Sequence, residues 1–207
     1  MEQEKTESLT ILCGAGLVSP EFLQAVNDVV QKYQLTLYLS TTQNLRLLEV
    51  KESDRQAIMD ELASRVGARF KGQVKHPLPK VCVSTPHCKF GRIDTFGLEE
   101  KISSLLAGMA PVKPKLKIAI SGCTVACPGS LTTDIGIVGT PKGMDVYVGG
   151  KLGAFPQIGR RVVRGADEEQ VLSLIRELVL YHDSKTKTKQ RMFKLLKEPD
   201  FPYPDAV

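Results

Sequence analysis

Ser121 to Ser130 read SGCTVACPGS, and upstream Val81 to Cys88 read VCVSTPHC. The first stretch is a C-x3-C pair and the second a C-x5-C pair, with 34 residues between Cys88 and Cys123. Four thiols in two short-spaced clusters suit a tetrahedral thiolate site, either zinc or a cubane [4Fe-4S] cluster. Structural zinc takes its paired ligands from C-x2-C to C-x4-C knuckles, so the five-residue gap favours the cluster. Reduced core cysteines are the plain alternative. Both pairs, however, sit among Pro86, Gly91, Gly122, Pro128 and Gly129, where loops leave backbone N–H groups free to bond to sulfur. Cys13 stands apart on an apolar, strand-like segment and reads as a buried free thiol.

Five cysteines, an odd number at short spacings, suit metal ligation in a reducing compartment better than disulfides. The opening MEQEKTES has no apolar core of a leader, and no stretch approaches the roughly 18 consecutive apolar residues of a membrane span. The expected location is therefore the cytoplasm, with no membrane partner. At 207 residues and 42% apolar, the chain can bury a substantial core. Its net charge of +5 and 6% aromatic content fall short of a nucleic-acid-binding signature and suit a small anionic ligand or a merely soluble surface.

The sequence predicts two domains, 1–72 and 73–207. In the first, Leu9–Cys13 reads as a strand. Ser19-Pro20 opens a helix whose Phe22, Leu23, Val26, Val29 and Val30 share one stripe. LTLYLS and LRLLEV, joined by TTQN, form a hairpin-like pair. Ser53 with Gln56 reads as a capping box for a second helix that Gly67 ends. The unit is thus β-α-β-β-α. The stretch RFKGQVKHPLPK reads as a linker. Beyond it a helix is expected at Leu98–Leu106, a strand at Leu116–Ile120, a strand pair in DIGIVG and MDVYVGG, and a helix from Asp167 to about Tyr181. The basic tail reads as a solvated helix followed by an extended end packed on the domain.

Lys113, Lys115 and Lys117 alternate through KPKLKIAI, so a strand there puts them on one face. Lysines guarding a sheet edge explain such a run equally well when it is read alone. Its nearness to Cys123 favours an anion site that also supplies protons. Gly136, Gly139, Gly149 and Gly150 permit close approach to a flat cofactor or simply make turns. Arg92, Arg160 and Arg161, with Lys142 and Lys151, flank these segments and are partners for cofactor carboxylates.

C-x5-C, then C-x3-C after a lysine-bearing strand, then D-I-G-x-V-G, closely resembles the siroheme-containing sulfite and nitrite reductase family. LSTTQNLRLLEV is similar to that family's L-T-T-R-Q-N-x-Q-L pattern. The resemblance implies an α+β chain: a ferredoxin-like half-domain, then an α/β domain with a mixed sheet that binds siroheme and a [4Fe-4S] cluster. It implies that Cys82, Cys88, Cys123 and Cys127 ligate the cluster, and that Cys127 also bridges to the siroheme iron. Lys115 and Lys117 match the family's anion-binding lysines, with Arg46 as a third catalytic residue. Arg92, Lys113, Gly139, Lys142, Gly149, Gly150 and Arg160 become the residues expected to hold the polycarboxylate siroheme. The implied reaction is six-electron reduction of sulfite to sulfide, or of nitrite to ammonia. No flavin or nicotinamide module is evident, so the expected partners are the anion and an external electron donor such as a ferredoxin. Monomer and homodimer both stay open, as does an electron-transfer protein that keeps the cluster alone. The chain departs from the family pattern in having Thr42 where arginine is usual, Val125 where asparagine is common, and no arginine shortly before Cys82. It has one half-domain and one cluster domain where long family members have two related halves.

Overall fold

The computed structural model describes residues 6–113, 116–185 and 191–207, and the chain divides into two compact units, Met1–Val74 and Lys75–Val207. The first unit runs β1 (Thr6–Leu12), α1 (Pro20–Tyr33), β2 (Thr36–Leu39), β3 (Leu45–Lys51), α2 (Arg55–Val66) and β4 (Arg69–Phe70). Its antiparallel sheet has the order β2-β3-β1-β4.

Helix α1 begins where the sequence says it should. The Ser19 hydroxyl accepts a hydrogen bond from the Phe22 N–H at 3.1 Å, Pro20 occupies the first turn, and Gln34 closes the helix in a left-handed conformation. Helix α2 ends at Gly67 as expected, but the Ser53–Gln56 capping box does not form. Asp54 is the N-cap and makes no side-chain cap bond, while the Gln56 amide donates to Asp60 one turn on. A hydrogen bond along the helix competes with the reach back to its start.

Leu9 and Ile11 of β1 and Leu45 and Leu47 of β3 meet Val26 and Val29 of α1 and Ile58 and Leu62 of α2 in one buried core. Strand alternation sends Thr10, Arg46 and Tyr38 to the opposite face. Glu49, at φ 64°, and a register shift in the partner strand between Glu7 and Leu9 mark a bulge that returns Val50 to the core. Strand β4 lies in the stretch expected to be linker. Phe70 is wholly buried there and pairs with Ile11, so its burial outweighs the lysine and glycine around it.

The second unit runs β5 (Lys80–Val81), α3 (Ser84–His87), α4 (Thr95–Gly108), β6 (Ile118–Ser121), β7 (Ile135–Thr140), β8 (Gly143–Val148), β9 (Arg160–Ala166), α5 (Glu168–Lys185) and α6 (Met192–Leu195). Its sheet has the order β5-β6-β7-β8-β9, parallel from β5 to β7 and antiparallel from β7 to β9, which makes it mixed. Strand β6 is buried along its whole length, as a strand in the parallel part of a covered sheet must be. Helices α4 and α5 pack on the sheet and on each other. Helix α4 starts three residues before Leu98, because the Asp94 carboxylate caps it by accepting from the Phe96 and Gly97 N–H groups, each at 3.1 Å.

Asp134, fully buried just before β7, ties the tail to the sheet. Its carboxylate accepts from the Lys117 N–H at 3.1 Å, Arg191 Nε at 2.8 Å and the Met192 N–H at 3.0 Å. Burial pushes this carboxyl above its ordinary value, and the Arg191 guanidinium opposes the shift. Phe201 is buried between the rings of Tyr181 and Tyr203. No helix among the described residues is long and apolar enough to cross a membrane.

Candidate metal and cofactor site

The two cysteine loops leave neighbouring parallel strands at the same end of the sheet. Val81 pairs with Ile120, and the Cys82 N–H extends the ladder by donating to the Ile120 carbonyl at 3.2 Å. Cys82 follows β5 directly, and Cys123 comes two residues after β6. The loops are then stitched together: the Gly122 N–H donates to Cys82 Sγ at 3.0 Å, and the Arg92 N–H donates to the Gly122 carbonyl at 2.8 Å. Within the first loop, the Cys88 N–H donates to the Ser84 carbonyl and the Gly91 N–H to that of Cys88.

Close packing under the loops demands glycine at three positions. A Cβ on Gly122 would lie 1.9 Å from Ser84 Oγ, one on Gly91 2.4 Å from the Thr85 nitrogen, and one on Gly139 2.5 Å from the Gly122 carbonyl oxygen. Ser84, itself buried with φ 40°, is held by its hydroxyl donating to the Ile93 carbonyl at 2.7 Å. The Thr95 hydroxyl likewise fixes the Cys82 carbonyl at 2.6 Å. Gly139 thus belongs to the floor of the cysteine loops.

All five cysteines are free thiols. Cys82, Cys88 and Cys123 are half-buried, Cys127 is exposed, and Cys13 is buried in the first unit, where burial raises its thiol pKa. Among the described residues, no three His, Cys, Asp or Glu side chains are grouped closely enough to hold a metal ion. The donor chemistry nonetheless suits a cluster. It consists of four thiols without disulfide partners, on two loops whose stems are hydrogen-bonded to each other, with a backbone N–H already directed at one sulfur.

The lysine run differs from its sequence pattern. Strand β6 begins only at Ile118, Lys113 lies in the preceding loop with Nζ bonded to the Asp183 carbonyl at 2.9 Å and paired with its carboxylate, and Lys115 lies outside the described residues. Lys117 adjoins the strand, since its carbonyl accepts from the Ile135 N–H. Strand pairing supplies it with a neighbour that the sequence did not suggest. Lys80 pairs with Ala119, so Lys80, Lys117 and Cys82 project to one face. Burial and then the Lys117 charge push the Lys80 ammonium pKa down.

The other expected cofactor residues separate into two groups. Arg92, exposed and with its backbone bonded to Gly122, stands at the cysteine loops. Lys142 follows β7 at the same end of the sheet as Gly139 and lines a hollow of about 490 Å³ with Arg161 and Arg164. Gly149, Gly150 and Arg160 lie at the opposite end, where Val148 pairs with Ile135 and Arg160. There, Gly149 makes room for Leu196 at φ 80°, and Gly150 packs on the backbone of Leu131 and Thr133. Arg160 donates to the carbonyls of Tyr203 and Pro204 in the tail.

Arg46 belongs to the first unit, on β3 just after the turn that joins it to β2. Strand β3 starts at Leu45, and Thr42 lies in the turn before it, its hydroxyl engaged with Ser40 and Asn44.

Residues 78–201 match the model of the nitrite and sulphite reductase 4Fe-4S domain, and residues 1–65 that of the nitrite/sulfite reductase ferredoxin-like half domain. The chain belongs to the nitrite and sulphite reductase family. That membership carries siroheme and [4Fe-4S] cofactors and enzymatic reduction with it. Among its relatives is an assimilatory-type sulfite reductase of Nitratidesulfovibrio vulgaris, 30% identical over 88% of this chain and 83% of that protein. Another is the large subunit of nitrite reductase [NAD(P)H] from Klebsiella oxytoca, 28% identical over 92% of this chain but only 20% of that subunit. The Mycobacterium tuberculosis NirA protein shares the fold, with a TM-score of 0.75 at 18% identity, over 91% of this chain and 37% of its own. The α+β architecture of this reductase family member, a ferredoxin-like half-domain and a mixed-sheet domain, accords with its family.

Proposed function

We propose that the chain is a sulfite reductase, with Cys82, Cys88, Cys123 and Cys127 holding the [4Fe-4S] cluster and siroheme seated beside Cys127. The observation that carries this is the emergence of both cysteine loops from adjacent parallel strands, joined by the Gly122–Cys82 hydrogen bond. When bound, the siroheme iron supplies the site for the oxyanion and the cluster supplies its electrons. The loop geometry accounts for an inequivalence among the thiols. Cys127 is the exposed member and is free to reach a second group, whereas Cys82 is turned inward to a backbone donor.

Arg92 and Lys142, both at the loop end of the sheet, are the cations proposed to meet siroheme carboxylates. Lys80 and Lys117, like charges on the face that carries Cys82, draw a small dianion toward it. Sulfite is favoured over nitrite by the assimilatory-type sulfite reductase that this chain matches over most of both lengths. Nitrite is the alternative, because both are small oxyanions. An electron donor such as a ferredoxin is the partner that its relatives suggest.

The test is anaerobic purification with iron analysis and a visible spectrum, recorded with and without sulfite. Siroheme bands that change on adding sulfite, together with about four cluster irons per chain, are expected. A colourless protein after anaerobic reconstitution, or one with iron-sulfur absorption and no haem, overturns the reductase.

A further inference from the structure

The C-x3-C loop stands largely clear of the sheet: Thr124, Val125 and Cys127 are exposed, and burial is confined to its stems, Ser121 with Gly122 on one side and Ser130 on the other. At that base the Ser121 and Ser130 hydroxyls meet at 2.7 Å, both fully buried, and among the described residues neither has another partner. Each leg arrives there for its own reason. Ser121 ends β6 opposite Val138 of β7, two residues beyond the pairing of Ala119 with Gly136, so Ser121 and Gly136 belong to one sheet face. Ser130 comes down on that face because Gly136 has no side chain: a Cβ there would lie 1.8 Å from the Ser130 carbonyl oxygen. Between the stems the chain turns through Ala126 at φ 55° and Gly129 at φ 78°. The Ala126 N–H donates to the Cys123 carbonyl at 3.2 Å, and the Gly129 N–H to that of Ala126 at 2.8 Å. Left-handed backbone is unfavourable for alanine, so a turn of this kind has to be held by what surrounds it.

We propose that Ser121 and Ser130 are positioning residues for the [4Fe-4S] cluster: their hydroxyl bond clasps the loop at its base and fixes the left-handed turn from which Cys123 and Cys127 act as ligands. The role of the two cysteines rests on the reductase proposed above. The clasp itself rests on the serines and on Gly136. The first cysteine loop is held differently, by the Ser84 hydroxyl on the Ile93 carbonyl and the Thr95 hydroxyl on the Cys82 carbonyl. In the second loop the side-chain bond at the base joins the outgoing leg to the returning one, so it governs how far the two cysteines between them can move.

The test compares the wild type, Ser121→Ala, Ser130→Ala and the double variant, each as the full chain reconstituted anaerobically. Urea unfolding of the cofactor-free proteins reads the fold. Each single variant strands one hydroxyl in a dry site and is less stable, whereas the double variant, with both partners apolar, returns toward the wild type. Iron release to a ferrous chelator reads the loop. In the double variant it should quicken about tenfold, for loss of one hydrogen bond that holds the loop closed, even though the stability has recovered. Release from the double variant at the wild-type rate overturns the proposal, because the pair then does no more than fill the base of the loop. Amide hydrogen exchange of the cofactor-free chain separates this result from failure of the reductase. The amides of residues 123–129 should exchange faster in the double variant, while those of β7 and β8 keep their wild-type rates. Protein that takes up no iron but shows this response overturns the reductase and keeps the clasp; loaded protein whose loop exchange is indifferent to both serines does the reverse.

Discussion

Gly122→Ala is the most direct probe of the floor beneath the cysteine loops. The added methyl would sit 1.9 Å from Ser84 Oγ and 2.4 Å from Ser84 Cβ, far inside the 3.5–4 Å or so at which carbon atoms rest. Ser84 has nowhere to go: it is 1% exposed, and its hydroxyl is committed to the Ile93 carbonyl. Overpacking of this kind costs about 3 kcal/mol, which for a chain of this size lowers Tm by roughly 6–12 °C. Ser84→Gly removes both clashing atoms and leaves Ser84 Cα, at 3.2 Å, as the nearest neighbour. Taken alone it sacrifices one hydrogen bond, about 1 kcal/mol, and its φ of 40° suits glycine. The double variant should therefore be more stable than the sum of the singles by about 2 kcal/mol. Urea unfolding of the four proteins measures this coupling, and iron content after anaerobic reconstitution reports whether the loops still assemble. Gly122→Ala within about 0.5 kcal/mol of the wild type, or strictly additive losses in the double variant, would show that the floor yields and that the loops are not set by it.

Cys127→Ser should disturb the siroheme bands along with the cluster absorption, and a variant with a wild-type haem spectrum removes Cys127 from the bridging position. For Asp134, burial raises the native carboxyl value, so the folded chain holds this proton more tightly than the unfolded one. Its stabilising contribution is full below the unfolded carboxylate range and declines as pH rises through the raised value. Denaturant unfolding of the wild type and Asp134→Asn between about pH 3.5 and 7 should show the wild type losing ground as pH increases. A gap that widens in the wild type's favour means instead that the Arg191 pair outweighs burial. Lys80→Ala and Lys117→Ala should each raise the sulfite KM several-fold with both cofactors retained; unaltered KM values leave the two lysines as ordinary strand-edge charges.

The elements legible in the sequence are those with a strong local cause. Ser19-Pro20 and the apolar stripe after it define α1, and Asp167 with Val171, Leu174, Ile175 and Leu178 defines α5. Glycine-rich loops around the cysteines were equally plain, because a tight backbone approach leaves few other residues workable. What escaped depends on partners distant in sequence. Strand β4 is two residues long and owes its place to Phe70 packing in the core. Strand β9 had no local signal of its own, and its Arg160 and Arg161 are satisfied by the tail and by Asp145. The lysine run looked like one alternating strand, and only the register of β5 against β6 reveals Lys80 as the neighbour of Lys117. Arg160, Gly149 and Gly150 fit a cofactor pattern on paper, yet their positions are explained by the tail and by turn packing at the far end of the sheet.

Strands β5 and β6 are neighbours in space but are separated in the chain by both the first loop and the whole of α4. A newly made polypeptide therefore carries two separate dithiols, each open to oxidation, until that crossover has closed and brought them to one edge. Closure of such a segment is opposed by loop entropy, a cost that grows only slowly with its length. Closing that crossover is the step that turns two separate dithiols into one four-thiol edge.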